Sequence, residues 1–259
     1  MSSWPRSERK AVAGRLQTAI TVGAVLLALH VASRYTPEFI LPPLLRIAAA
    51  LGEVLVREWP HILATLGRLG QGMLAAFVVG SSLGILMGAL RGVAAYARPL
   101  LYILMAVPAL SWILFAVLWF PTPQWRVFFV ITVVSLPFYA LNIYEGIRAL
   151  PAELAEAVQV FRPSHWQMLR ILVIPHVVPY VMMTTRSVVG YAIRMTTFAE
   201  LIGSAVGIGA RLNNAQAMFR IDAVFAWTFV LVGLNFALQG LLDAADRRLL
   251  RWRPEGVIR

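Results

Sequence analysis

Three features of this 259-residue sequence predict an all-α, polytopic membrane fold. Hydrophobic residues make up 59% of the chain and charged residues only 14%, and the mean hydropathy is +0.74. Several apolar runs approach the ~20 residues that a helix needs to cross the hydrocarbon core. These runs do not break into alternating segments of about ten residues. The spanning element is therefore the helix, which satisfies its own backbone in lipid, and not the barrel strand.

Six transmembrane helices are predicted, over residues 16–33, 69–90, 100–120, 127–144, 178–198 and 223–242. A basic head, Arg6, Arg9, Lys10 and Arg15, precedes the first run and marks residues 1–15 as a cytoplasmic tail. The "HVAS" at 30–33 has the look of a signal-cleavage site, but the apolar run exceeds the usual ~7–15 residues of a signal peptide, which favours a retained span. Six crossings then return the chain to the cytoplasm, where residues 251–259 form a second tail. With this topology 14 of the 23 basic residues fall in cytoplasmic segments, among them Arg91, Arg98, Arg148, Arg162, Arg170, Arg247 and Arg248. A net charge of +11 is also a mark of nucleic-acid binders, yet arginines clustered at span ends explain it as membrane orientation, and no nucleic-acid partner is expected.

Two further segments have a readable pattern. In "PPLLRIAAALGEVLVREWP", Leu44, Ile47, Leu51, Val54 and Leu55 share one helical face and Arg46, Glu53 and Arg57 the other, which predicts an interfacial helix on the outer surface between the first two spans. In the second span Gly72, Ala76, Gly80, Gly84 and Gly88 recur every four residues. Such a stripe lets another helix approach closely, within the subunit or across a subunit interface, and packing within the subunit is the favoured reading.

The stretch "ELAEAVQVFRPSHWQMLRILVIP" interrupts this apolar chain with charge. Pro151 suits a first helical turn, and Glu153 and Glu156 favour the positive end of a helix. Leu154, Val158 and Phe161 fall on one face. After Pro163, Ser164 and Gln167 have the spacing of a capping box, and Trp166, Leu169 and Val173 form a second apolar stripe up to Pro175. The segment therefore reads as helix, turn, helix. A lipid-surface helix is usually uniformly basic, whereas these polar faces mix Glu153, Glu156, Arg162, His165 and Arg170, and a mixed face suits a protein partner.

"EAVQVFRPSHWQMLRILVIP" resembles the EAA loop of bacterial ABC importer permeases, in which E-A-A is followed by a glycine and, further on, by I-x-L-P. Glu156, Ala157, Ile174 and Pro175 fit that pattern; Val158 replaces its last alanine and Arg162 its glycine. A glycine there permits positive φ, which Arg162 would resist, so the turn is expected to be set by Pro163. "LPPLLRI", the glycine-rich second span, "AELIGSAVGIGARLNNAQ" and "RRLLRW" are similar to the nitrate, sulfonate and taurine branch of these permeases.

The resemblance implies a type I ABC importer (MetI-like) transmembrane domain over 16–250, in the bacterial inner membrane, with a cytoplasmic coupling loop at 150–176. It implies a second permease copy as a homodimer, two ATP-binding subunits docked on the loop, and an extracytoplasmic substrate-binding protein. On this reading Glu153, Glu156, Ala157, Val158, Phe161, Arg162, Ser164, Trp166 and Pro175 form the ATPase-coupling surface. ATP and Mg²⁺ belong to the partner subunits and this chain binds no cofactor of its own. The sequence agrees: a phosphate-binding Walker loop needs a lysine after glycine, and the sole lysine, Lys10, lies in "SERKAVAG".

Polar groups in or beside the spans are His30, Asn142, Glu145, Arg186, Arg194, Glu200, Asn235 and Gln239. Charge at membrane depth normally faces protein or a watery path, so Arg186 and Arg194 are candidates for an anion pathway. Arg186 is open to the plainer reading of a salt bridge to Glu145 or Asp243, or of snorkelling to the interface. Glu200, Gly203, Gly207 and Gly209 sit in a segment too glycine-rich for a straight helix, which reads as an outer gate or as a flexible outside loop. An ion-coupled secondary transporter is the alternative class, but the carboxylates Glu145 and Glu200 lie near span ends. An intramembrane enzyme is the other. No H-E-x-x-H or G-x-S-x-G occurs, and with no cysteine a thiolate metal site is excluded, so no catalytic or metal-ligating residue is assigned.

Overall fold

A computed structural model describes residues 6–249, and the expected tail at 251–259 lies outside the described residues. Every regular element among the described residues is helical. In order they are α1 (Arg6–Tyr35), α2 (Leu44–Arg57), α3 (Trp59–Ala89), α4 (Arg91–Ala106), α5 (Ala109–Trp119), α6 (Pro123–Arg148), α7 (Ala152–Gln159), α8 (His165–Met168), α9 (Ile174–Gly203), α10 (Ile208–Ala217) and α11 (Ile221–Leu249). A π-helical turn, Leu169–Val173, joins α8 to α9.

Among the described residues four helices are long and apolar enough to cross a bilayer, ending at Ala89, Arg148, Gly203 and Leu249. The run expected to be one straight third span is instead two helices, α4 and α5, bent by 92°. Val107 and Pro108 are extended there (φ −69°, ψ 124° and φ −55°, ψ 134°), because a proline disfavours the helical conformation in the residue before it. The expected first span lies within α1, a continuous helix of 30 residues whose start at Arg6 falls inside the expected tail.

The glycine stripe of α3 faces α6. A Cβ added at Gly72 would come 2.7 Å from Ile131 Cβ, at Gly80 2.7 Å from Leu136 O, at Gly84 2.6 Å from Ala140 O and at Gly88 2.8 Å from Ile147. Numbers rise together along both helices, so α3 and α6 run parallel, in backbone-close contact, and end on the same side. Small residues lower the separation enough for dispersion to hold the pair where lipid supplies no hydrophobic drive. α9 packs against the other side of α6, and Leu69, Ile113, Ala116, Val127, Val130, Ile131, Val188, Val189 and Ala192 form the shared core.

α2 is the amphipathic helix expected between α1 and α3, and its apolar face is packed on protein. Ile47, Ala50 and Val54 are buried, and Ala50 and Val54 pack with Ala226, Trp227 and Val230 of α11. Leu55, placed on the apolar face by its spacing, is exposed, as is Leu45. The smaller Ala50 sets the contact face, since a close helix crossing selects small side chains over large ones.

Candidate functional site

Three places collect the polar groups of this chain: the 150–176 loop, a cavity between α9 and α11, and a clamp where α3, α9 and α10 meet.

The loop is helix, turn, helix, as its sequence predicts. Ser164 and Gln167 close the reciprocal capping box: the Ser164 N–H donates to Gln167 Oε1 at 2.8 Å and the Gln167 N–H to Ser164 Oγ at 3.3 Å. Arg162 overturns the expected turn geometry, because it adopts positive φ, 50°, and does not leave the turn to Pro163. Its N–H donates to Gln159 O at 2.8 Å, so the helix-ending bond outweighs the ~1–2 kcal/mol that an L residue loses in this conformation. Arg162→Gly is accordingly expected to raise the unfolding midpoint slightly and Arg162→Val to lower it, both read by thermal scans of the purified protein.

Pro175 does not end the second helix either. The π turn carries α8 directly into α9, with the Ile174 N–H bonded to Leu169 O. A proline ring collides with the carbonyl four residues earlier in a regular helix; the wider turn accommodates it.

No residue of α7 is buried. Glu153, Glu156, Ala157 and Ser164 are exposed, Val158 and Pro175 half-buried, and Phe161 and Trp166 stand 85% and 66% exposed beside Leu154 and Val160. Leu169 and Val173 turn the other way. With Gln159, Arg162, Pro163, Met168, Ile85, Gly88, Ala89 and Ile147 they line a cavity of about 660 Å³ between the loop and the ends of α3 and α6. The second apolar stripe is thus divided, with Trp166 exposed alongside Phe161 and with Leu169 and Val173 turned to the cavity.

The second cavity, of about 640 Å³, lies between α9 and α11. Arg186, Ser187, Tyr191 and Arg194 line it from α9, and Asn235 and Gln239 from α11, with Leu201, Leu231 and Phe236 among the apolar neighbours. Arg186 is neutralised by Asp243 Oδ1 at 2.5 Å and Asp246 Oδ2 at 3.3 Å, so the salt-bridge reading fits through Asp243 and not through Glu145. Arg194 donates its Nε–H to Gly190 O at 3.1 Å and makes no ion pair among the described residues. Of the two arginines it is the one without an ionic partner among the described residues.

Glu200 and the glycines after it stand apart from that cavity in a buried clamp. The Glu200 carboxylate accepts from Arg68 Nη1 at 2.7 Å, Thr65 Oγ1 at 2.8 Å and the Gly209 N–H at 3.1 Å. Arg68 Nη1 also donates to Val206 O at 2.6 Å, the Ile208 N–H to Thr65 Oγ1 at 2.9 Å, and the Gly207 N–H to His61 Nδ1 at 3.1 Å. The first N–H groups of α10, which have no partner within the helix, are thereby satisfied by a side-chain oxygen and a carboxylate. Gly207 has φ 125°, and a Cβ on Gly209 would collide with Thr197 O, so both positions require glycine. Gly203 accepts from Arg126 Nη1 at 3.1 Å. Non-helical backbone here is fixed by protein and is not a free loop.

His61, Thr65 and Arg68 were not singled out from the sequence. A signal for one was present: Arg68 precedes Gly72 by four residues and so continues the buried small-residue stripe by one step. A charge in register with a buried stripe requires a buried counter-charge.

Residues 76–251 match the family model described as "Binding-protein-dependent transport system inner membrane component". Over 256 residues the chain is 27% identical to the taurine transport system permease protein of Escherichia coli (strain K12), covering 97% of this chain and 93% of that one. It is 32% identical over 197 residues to the bicarbonate transport system permease protein of Synechococcus elongatus (strain ATCC 33912 / PCC 7942 / FACHB-805), covering 75% and 68%. A solved chain from inward-facing conformations of the MetNI methionine ABC transporter superposes with a TM-score of 0.63 at 17% identity, over 76% of this chain and 96% of that one, and so shares the fold. The EAA-like loop, the multi-pass helical architecture and these matches agree, and the chain belongs to the family of binding-protein-dependent transport system inner membrane components, as an ABC importer permease.

Proposed function

We propose that this permease carries a small anion, of the sulfonate, taurine or nitrate kind, across the bacterial inner membrane with both termini cytoplasmic. Two copies pair as a homodimer, an extracytoplasmic binding protein delivers the solute, and two ATPase subunits seated on residues 150–176 drive the cycle. The observation that carries the drive is α7, an amphipathic helix with no buried residue, set beside exposed Phe161 and Trp166 and mixed charge. An exposed apolar patch of this kind marks an interaction site, and its Glu153 and Glu156 fit a protein partner better than anionic headgroups. ATP and Mg²⁺ stay with the partner subunits, and Glu156 anchors them.

The anion reading rests on Arg194 in the α9–α11 cavity. An uncompensated guanidinium among apolar walls attracts a sulfonate or carboxylate and penalises a cation, while Asn235, Gln239, Ser187 and Tyr191 offer neutral hydrogen bonds that bind without trapping. Relatives named for taurine and bicarbonate transport are in keeping with a small anion. Glu200, Gly203, Gly207 and Gly209 hold the outer end of the path as a fixed wall. The two arginines should separate in the test: in proteoliposomes holding the complete transporter, Arg194→Gln is expected to lower ATP-driven taurine or sulfonate uptake by about tenfold, the loss of one charge-assisted contact. Arg186→Gln should act chiefly through Asp243 and Asp246 and lower stability instead. Unchanged uptake in Arg194→Gln would remove the anion path.

A further inference from the structure

The cavity between α9 and α11 is polar toward one end and apolar toward the other. Its two helices are antiparallel: a Cβ on Gly190 would come 3.1 Å from Asn235 Oδ1, whereas Arg186, one turn earlier on α9, pairs with Asp243 and Asp246, farther along α11. Toward the 150–176 loop the lining is therefore Arg186, Asn235 and Gln239, the last two joined by a hydrogen bond of 3.3 Å.

Toward α10 the character changes. Beyond Arg194 the lining continues with Thr197, Phe198 and Leu201 of α9, and α10 and α11 add Leu212, Leu231 and Val232. Thr197 spends its hydroxyl on Ile193 O at 2.9 Å. The rise from Arg194 to Leu201 is about 10 Å, so one side of the guanidinium faces an apolar wall as long as a chain of several carbons. Arg194 itself is exposed well inside α9, and a charge at that depth faces a watery path and not acyl chains.

The lining holds no carboxylate. The nearby acidic groups are committed elsewhere, Asp243 and Asp246 to Arg186, and Glu200, fully buried, to Arg68. An ammonium brought here would lose its water beside two guanidinium groups with no counter-charge, and an aromatic face returns only part of that loss. An inorganic anion has the opposite shortfall. It satisfies Arg194 but covers none of the apolar wall.

We infer, resting on the anion path proposed above, that the solute is an organic monoanion with a short apolar tail, its sulfonate or carboxylate on Arg194 and its tail along Phe198, Leu201 and Leu231. The planar guanidinium donors reach two oxygens of such a head at once. The tail is what separates this solute from a zwitterion such as taurine and from an inorganic ion such as nitrate.

The test measures binding to the complete transporter in nanodiscs, without the extracytoplasmic binding protein, so that selection by the permease is read alone. Alkanesulfonates from methanesulfonate to pentanesulfonate are titrated by calorimetry, with the Arg194→Gln transporter in the same lipid as the blank for partition into the bilayer. Affinity is expected to rise about threefold with each added methylene. Ethanesulfonate is expected to bind about tenfold more tightly than taurine, which is the same anion with an ammonium added. Phe198→Ala, at a half-exposed position, should flatten the dependence on chain length. Affinity that stays level along the series, or taurine bound as tightly as ethanesulfonate, overturns the tail and leaves the anion path standing. Identical heats from wild type and Arg194→Gln for every sulfonate remove the anion path itself and this inference with it.

Discussion

Arg68→Ala is expected to destabilise the fold by about 3–5 kcal/mol, the cost of stranding a buried charge whose partner has been removed. Glu200 is fully buried and Arg68 nearly so, so water cannot replace the lost guanidinium. The deletion also removes one of two donors to Val206 O, leaving Ser204 Oγ, and with it a tie from α3 to the chain between α9 and α10. Unfolding followed through the intrinsic fluorescence of the eight tryptophans should show a midpoint lowered by roughly 10 °C or more. Arg68→Ala with Glu200→Leu should recover part of the loss, because no charge is left unpaired. Recovery stays partial, since the Gly209 N–H keeps no acceptor and Thr65 Oγ1 keeps only His61 O, at 3.2 Å. If Arg68→Ala costs no more than the exposed Arg57→Ala, the clamp is not what holds α10.

Glu156→Lys is expected to bring ATP-driven uptake to background while leaving the fold untouched. The side chain is exposed on a helix with no buried residue, so reversing its charge has nothing in this chain to disturb. At a partner's surface the same reversal exchanges an attraction for a repulsion, worth about 2–4 kcal/mol at a hot spot and thus about thirty-fold or more in affinity. Co-purification of a nucleotide-binding subunit with the tagged permease measures it directly, and a thermal scan serves as the control. Wild-type recovery of that subunit by Glu156→Lys would take the coupling role away from α7. A parallel Trp166→Ala should weaken co-purification through lost apolar contact, with no dependence on salt.

Much of the fold was written in local rules that need no neighbour to apply them. The four-residue glycine period and the Ser164–Gln167 capping box each depend on residues within one or two turns, and each is found in the structure, whereas span length holds for four helices among the described residues and fails for the bent third run. Where two rules competed, the sequence alone did not decide. Arg162 is poor at positive φ, but the helix-ending bond to Gln159 O prevails there. Pro108 sits in a run apolar enough to be a span, yet its backbone restriction turns the chain by 92°. The clamp was least legible of all. Thr65 and Glu200 are 135 residues apart in sequence, and no local pattern reports such a distance. The candidate residues likewise divided: the loop residues were located as a group, whereas Arg186, Arg194 and Glu200, taken together from the sequence, belong to two structures with different chemistry.

The π turn at Leu169–Val173 has a mechanical meaning. On one side the loop leaves α6 after only the short link at 149–151, and α6 is held to α3 by backbone-close contacts from Ile131 to Ile147. On the other side it passes without a break into α9, through a turn whose hydrogen bonds are looser and whose radius is wider than those of the helix around it. A push on α7 therefore meets a stiff strut on one side and a spring on the other. A displacement of the loop is expected to be absorbed first in those five residues and not in the α3–α6 contact.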